Sequence, residues 1–230
     1  MAGKKLRKVL ELVDQNAVYS MEDAIELIEK TNTVKFDATV EIHFNLNLDP
    51  KYQDQMIRVT TSLPNGTGKK VKVCVFTETK IEEAKKAGAT VAGGEELIEQ
   101  IAQGKQALDF DICVATPDMM RKLGKIARQL GPKGLMPNPK TGTVGDDVEA
   151  IVKEIAAGRV ELRTDKQGNI HTILGKVSFG KEKLVQNLEH VLNFVKEVKP
   201  SGSKGKYINS VYVCNTMGPG IKLATEVDAK

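Results

Sequence analysis

Two stretches of this chain carry side chains whose types and spacing can do chemistry. From Thr39 to Leu48 every second residue is polar: Thr39, Glu41, His43, Asn45 and Asn47 alternate with Val40, Ile42, Phe44, Leu46 and Leu48. This is the period of a β-strand with one apolar and one wholly polar face. Hydroxyl, carboxylate, imidazole and amide groups in one row can exchange hydrogen bonds with ribose 2′-hydroxyls and minor-groove edges, the chemistry by which structured RNA is read. An ordinary solvated sheet face has the same pattern. Near the other end, Asn215-Thr216-Met217-Gly218-Pro219-Gly220 closes a strand. It reads either as a tight turn, or as a loop in which Gly218 lets the backbone approach a phosphate, Thr216 donates its hydroxyl and Met217 packs. Phe36, just ahead of the polar row, can add an apolar contact, and Lys196, Lys199, Lys204 and Lys206 can neutralise phosphates.

Other chemistries fare worse. Residues 134–141, GLMPNPKT, have the glycine and Lys-Thr of a phosphate loop. Pro139 stands where the second glycine belongs and removes a backbone donor, and the segment follows a helix instead of a strand. His43, His171 and His190 show no metal-ligand spacing, and no Ser/His/Asp set assembles. They read as solvated strand and helix positions. No catalytic residue, metal, cofactor or small-molecule substrate is therefore expected. The rival reading is a nucleotide-dependent α/β enzyme, which a mononucleotide-induced rise in melting temperature would identify.

The elements that must position these residues fall into three blocks. Helices are expected over residues 4–15 and 21–30, the second opened by a capping box of Ser20 and Asp23. Strands follow at 39–48 and 56–61, and then SLPNGTGKK, a candidate hinge. The middle block alternates strand and helix: strands at 71–76 and 110–115, helices at 79–87, 95–103, 117–130 and 146–157, with the pattern of a small α/β layer fold on a parallel sheet. Thr116 is expected to cap the 117–130 helix through its side chain and Gly131 to end it in the left-handed conformation before Pro132. The rim loop from Lys133 to Thr143, with its glycines and prolines, reads as stiff and cationic. Gly158 and Arg159 read as the return crossing. The last block holds a hairpin (160–164 with 170–178, through DKQGN), a helix at 181–199, a basic loop and a strand at 208–214. One-sided strands in the first and last blocks make these two thirds one domain, 1–66 plus 159–230, with 67–158 inserted and hinges at Leu63, Gly68, Gly158 and Arg159.

Composition narrows the class. With 40% hydrophobic residues the 230-residue chain can bury real cores, while 4% aromatics and no tryptophan argue against base stacking on aromatic platforms. A net charge of +4 decides little, but the last 72 residues carry 12 Lys+Arg against 7 Asp+Glu and hold the surplus. Cys74, Cys113 and Cys214 form no C-x-x-C pair and read as buried free thiols of a reducing cytosol. No stretch approaches the length of a membrane span.

The segment LGKIARQLGPKGLMPNPKTGT, with SMEDAIELIEK, KFDATVEIHFNLNLDP and NTMGPG, resembles the bacterial ribosomal protein L1 family (uL1) over essentially the whole chain, the signature falling on Leu123, Gly131, Pro132, Gly134 and Pro137. The resemblance implies an α/β fold of two domains. One is a discontinuous α/β domain with a mixed or antiparallel sheet from both chain ends, and the other an inserted Rossmann-like domain with a parallel sheet. It implies a non-enzymatic protein of the cytoplasmic ribosome that binds 23S rRNA to form a mobile stalk among other ribosomal components. It also implies assistance in releasing deacylated tRNA from the exit site and repression of the protein's own operon mRNA. The family's RNA contacts fall on Phe36, Thr39, Glu41, Thr216, Met217 and Gly218, with Lys35, Lys166, His171 and Ser210 beside them.

Overall fold

The computed structural model describes residues 4–14, 16–105, 107–203 and 205–224, apart from the side chains of Lys4, Lys5, Gln53 and Lys140. Lys204, expected in the basic loop, lies outside the described residues. In chain order the elements are α1 (Lys4–Leu10), α2 (Met21–Lys30), β1 (Thr39–Leu46), β2 (Arg58–Ser62), β3 (Val73–Phe76), α3 (Ile81–Lys86), β4 (Val91–Gly93), α4 (Glu95–Ala102) and β5 (Ile112–Ala115). They continue with α5 (Pro117–Leu123), α6 (Ala127–Leu130), α7 (Val148–Ala156), β6 (Arg159–Arg163), β7 (Asn169–Lys176), α8 (Lys181–Glu197), β8 (Ile208–Asn215) and β9 (Ile221–Lys222). The chain divides into two compact units, residues 1–68 with 160–230, and residues 69–159.

The first unit is built on β1. Its even-numbered residues Val40, Ile42, Phe44 and Leu46 are buried, as the alternation requires. Seven register pairs join β1 to β7 and seven join it to β8, all antiparallel, and β9 completes the order β7-β1-β8-β9. Helices α2 and α8 cover the apolar face, with Ala24, Ile25 and Ile28 from one and Leu184, Leu188, Val191 and Val195 from the other in the same core. Those spacings put each set on one stripe of its helix. The opposite face carries the polar row Thr39, Glu41, His43 and Asn45, which is half-buried to exposed.

The second unit has the parallel order β4-β3-β5. All four residues of β3 are buried: Cys74 and Phe76 face a core with Ile98, Met119, Leu123, Ile126 and Leu130, while Val73 and Val75 face another with Ala84, Val148, Val152 and Ile155. Helices thus lie on both faces, and the strand reads as an unbroken apolar run for that reason. The expected fold class is observed.

Several local expectations are corrected. The helix read as 117–130 is two short helices joined by a 3-10 turn at Gly124–Ile126, where glycine weakens the α-helical run. Thr116 is the N-cap residue but its side chain makes no capping bond; the Met119 amide donates to its carbonyl instead. Gly131 is right-handed (φ −58°), and the reversal comes three residues later at Gly134 (φ +71°). The fixed φ of Pro132 suits one more right-handed turn, and Gly131 has no Cβ to collide with the proline ring. The 160–178 hairpin does not form as such: β6 pairs with β2, and only Thr164↔Ile170 bridges toward β7, whose length is taken by β1. Strands β4 and β9, too short to show a period, were not legible in the sequence.

Candidate nucleic-acid interface

The open face of the four-stranded sheet gathers most of the sequence-predicted residues. Thr39, Glu41, His43 and Asn45 run along β1; His171 faces His43 from β7, and Ser210 faces Asn45 from β8. Phe36 and Lys35 precede the β1 end, and Phe36 is 58% exposed. Lys166 is exposed in the turn before β7, at the other end of the row. Eight strand residues make the row about 25 Å long.

The turn after β8 is fixed against β1. The Thr39 amide donates to Thr216 Oγ1 (3.1 Å), that hydroxyl donates to the Thr39 carbonyl (3.3 Å), and the Thr216 amide donates to the same carbonyl (3.0 Å). The Thr216 hydroxyl, read from the sequence as a donor to RNA, is therefore committed to the strand, and its part is to hold the turn. Met217 follows at φ +68°, the one non-glycine among the described residues with positive φ, and its side chain is 75% exposed. A left-handed non-glycine residue costs of order 1–2 kcal/mol and persists only where its surroundings impose it. Gly218 is required from within: a Cβ there would collide with the amide oxygen of buried Asn215, whose amide nitrogen donates to the Ile28 carbonyl (3.0 Å).

Four residues of the open face escaped the sequence reading. Lys176 donates to Thr39 Oγ1 (2.8 Å) and reaches the Asp37 carbonyl (3.4 Å). A register shift opposite Val40 and Glu41 brings it to this face; one extra residue in β7 reverses the alternation beyond Ile173, which plain period counting misses. Ile173 and Tyr212, each 37% exposed, flank the polar row as apolar and phenolic contacts. Cys214 is half-buried on the same face, a correction to the fully buried thiol expected; Cys74 and Cys113 are buried. The alternation of β8 was the signal that could have placed Tyr212 and Cys214 together.

The histidines are not merely solvated. His43 Nδ1 lies 2.9 Å from His171 Nδ1, and His43 Nε2 lies 3.2 Å from Cys214 Sγ and 4.0 Å from Glu41 Oε2. His171 Nε2 is 3.5 Å from Asp165 Oδ2. Burial, followed by the neighbouring His171, holds the His43 pKa below its ordinary value, and burial followed by Glu41 pushes the Cys214 thiol up. Burial pushes the Asp165 carboxyl up, but hydrogen bonds from the Asn169 and Gln167 backbone N–H groups and from the Asn169 and His171 side chains together more than offset it and leave it below the ordinary carboxylate value. His190, expected on a solvated helix face, is bonded to Thr61 Oγ1 (2.9 Å) and stacked on Phe194.

The remaining predicted positions lie elsewhere. Leu63 is buried in the core of the first unit, and the loop beyond it is tied down by Asn187, which accepts from the Asn65 amide (3.1 Å) and donates to the Gly66 carbonyl (3.1 Å). Gly68 (φ +71°) packs on the Phe179 ring, Gly158 has φ +104°, and Arg159 Nη1 pairs with Glu154 Oε2 (2.8 Å). The signature residues belong to the second unit: Leu123 and Pro137 are buried, Gly131, Pro132 and Gly134 exposed. The rim loop is stiffened by Asn138, Thr141 and Thr143, and the Thr143 carbonyl accepts from the Ala115 amide (3.0 Å).

Among the described residues, no helix is long and apolar enough to cross a membrane. Residues 27–219 match the model of the Ribosomal protein L1p/L10e family. The chain is 54% identical to the large ribosomal subunit protein uL1 of Mesoplasma florum, over 96% of this chain and 97% of that protein. It is 52% identical to the uL1 protein of Thermosipho africanus, over 96% and 95% of the respective chains. Similarity of this extent makes the protein a structural RNA-binding component of the ribosome rather than an enzyme. The open sheet face, the strained turn beside it and the match across both units agree: the chain belongs to the ribosomal protein L1p/L10e family.

Proposed function

We propose that this protein binds folded 23S rRNA through the open face of the β7-β1-β8-β9 sheet and the Thr216–Gly218 turn, as a component of the mobile stalk of the large ribosomal subunit in the cytoplasm. The observation that carries this reading is a sheet with one face closed by α2 and α8 and the other lined by short polar groups between Phe36 and Met217. Lys35, Lys166 and Lys176 contribute the salt-dependent phosphate attraction, while Glu41, Ser210, His171 and the exposed Phe36 and Met217 select shape and 2′-hydroxyls. Residues 1–66 joined by a short linker to 159–230 retain the affinity of the full chain for a stalk-RNA fragment in a filter-binding titration at fixed salt. A fusion that is unfolded, or that folds and fails to bind, overturns the assignment.

Two finer roles extend the same reading. The protein assists release of deacylated tRNA from the exit site, with the cationic rim loop meeting the tRNA; Lys133 is exposed there. Lys133→Glu slows tRNA release on reconstituted ribosomes, and an unchanged rate removes the loop from this role. It also represses translation of its own operon mRNA by presenting the same sheet face to a similar RNA fold. That repression is lost together with rRNA binding in Met217→Ala; loss of one without the other separates the two surfaces.

A further inference from the structure

Three donor atoms converge on the open sheet face: Glu41 Oε2, His43 Nε2 and Cys214 Sγ lie within 4.8 Å of one another. Their juxtaposition follows from strand register. Glu41 and Cys214 are directly paired across β1 and β8, and His43 is two residues further along β1 on the same face. No spacing within one segment announces such a set, because its members are 173 positions apart between Glu41 and Cys214 (214 less 41).

We propose that Glu41, His43 and Cys214 form a binding site for one Zn2+ ion, with three protein ligands and the fourth position open to solvent. In tetrahedral zinc with bonds of about 2.0–2.3 Å, donor atoms stand roughly 3.3–3.6 Å apart. The His43–Cys214 separation of 3.2 Å falls just short of this range and the Glu41–His43 separation of 4.0 Å just beyond it, so small side-chain rotations of Cys214 and of the Glu41 carboxylate bring both into it. Imidazole, thiolate and carboxylate together suit a borderline cation better than magnesium or calcium, which take oxygen ligands.

The surroundings orient the imidazole for this role. One proton arrangement that satisfies these distances has His43 Nδ1–H donating to His171 Nδ1, and His171 Nε2–H directed at Asp165. It leaves the His43 Nε2 lone pair facing Cys214. This is a carboxylate–histidine–histidine chain of the kind that fixes the tautomer of a metal-binding histidine. Binding the ion displaces the thiol proton of Cys214 to solvent; a bound divalent charge favours that ionisation. Burial of His43 and of Cys214 keeps both groups neutral until then.

The test uses the full-length, reduced, metal-free protein without RNA, so it stands or falls independently of the RNA surface. Calorimetric titration with Zn2+ gives one equivalent bound, and Co2+ in its place gives a thiolate-to-cobalt charge-transfer band. Cys214→Ser removes the band and weakens Zn2+ at least tenfold. His171→Ala, a positioning change, weakens Zn2+ about 10- to 100-fold and keeps the band. Absence of one-equivalent binding overturns the site, as does Zn2+ binding that Cys214→Ser leaves unchanged.

Discussion

The two sheets of this molecule differ in how many faces they bury. In the second unit, β3 is buried along its whole length because α4 and α5 contribute to one core and α3 and α7 to the other. In the first unit, β1 buries alternate residues only, and its other row is half-buried to exposed. A sheet covered on both faces can offer a ligand only its strand ends and loops. A sheet covered on one face offers a flat row of side chains whose identities folding does not dictate. The composition follows this difference: VCVF in β3, but Thr, Glu, His and Asn at every second place of β1.

The sharpest break of that comparison sets two phenylalanines against each other. Phe44 is fully buried under α2 and α8, and Phe44→Ala costs about 3–5 kcal/mol of unfolding free energy by urea titration. Phe36→Ala changes stability by less than about 0.5 kcal/mol and instead weakens binding of the stalk RNA. Equal losses of stability would erase the distinction between the two faces.

Thr216 tests whether the turn belongs to the fold or to the ligand. Thr216→Val leaves the Thr39 amide without its side-chain acceptor and lowers stability by about 1–2 kcal/mol, with RNA affinity falling alongside. An unchanged denaturation midpoint would mean that the hydroxyl is free. At Met217 the two readouts move apart: Met217→Gly stabilises the chain by roughly 0.5–1 kcal/mol, the relieved left-handed strain exceeding the added chain entropy, while RNA binding weakens.

The smallest effect is electrostatic. The folded His43 pKa lies below its ordinary 6.5, so the unfolded chain binds the proton first as pH falls. The contribution of His43 is complete above pH 6.5 and is lost as pH falls from there through the folded pKa. His43→Asn flattens this part of the stability curve, and a slope unchanged by the substitution would place its origin elsewhere.

Legibility in the sequence tracks the number of faces and the length of each element. β1 and α2 could be read because alternation and a Ser20 cap are local signals; the alternation is present, and Ser20 Oγ accepts from the Asp23 amide, although the Asp23 carboxylate accepts from the Ser20 hydroxyl instead of closing the capping box. The partnership of β6 was not legible, because proximity in sequence favours β7 whereas the sheet assigns β7 to β1. Lys176 escaped because a one-residue register shift reverses the face of everything beyond it. The cluster of His43, His171, Cys214 and Glu41 escaped because its members meet across three strands, and no window along the chain contains them.

The bond between Thr39 and Thr216 spans 177 positions, and its consequence is temporal. β1 is synthesised early with an apolar row that has no partner until β7 and β8 emerge, whereas β3, β4 and β5 lie within 43 residues of one another, from Val73 to Ala115. At a synthesis rate of roughly 5–20 residues per second, β1 waits about 9–35 s for Thr216. The inserted unit has every strand in hand well before then. A growing chain therefore carries a complete set of inserted-unit strands and an unfinished sheet face, and only a chain synthesised past Met217 can present Thr39, Glu41 and Met217 together.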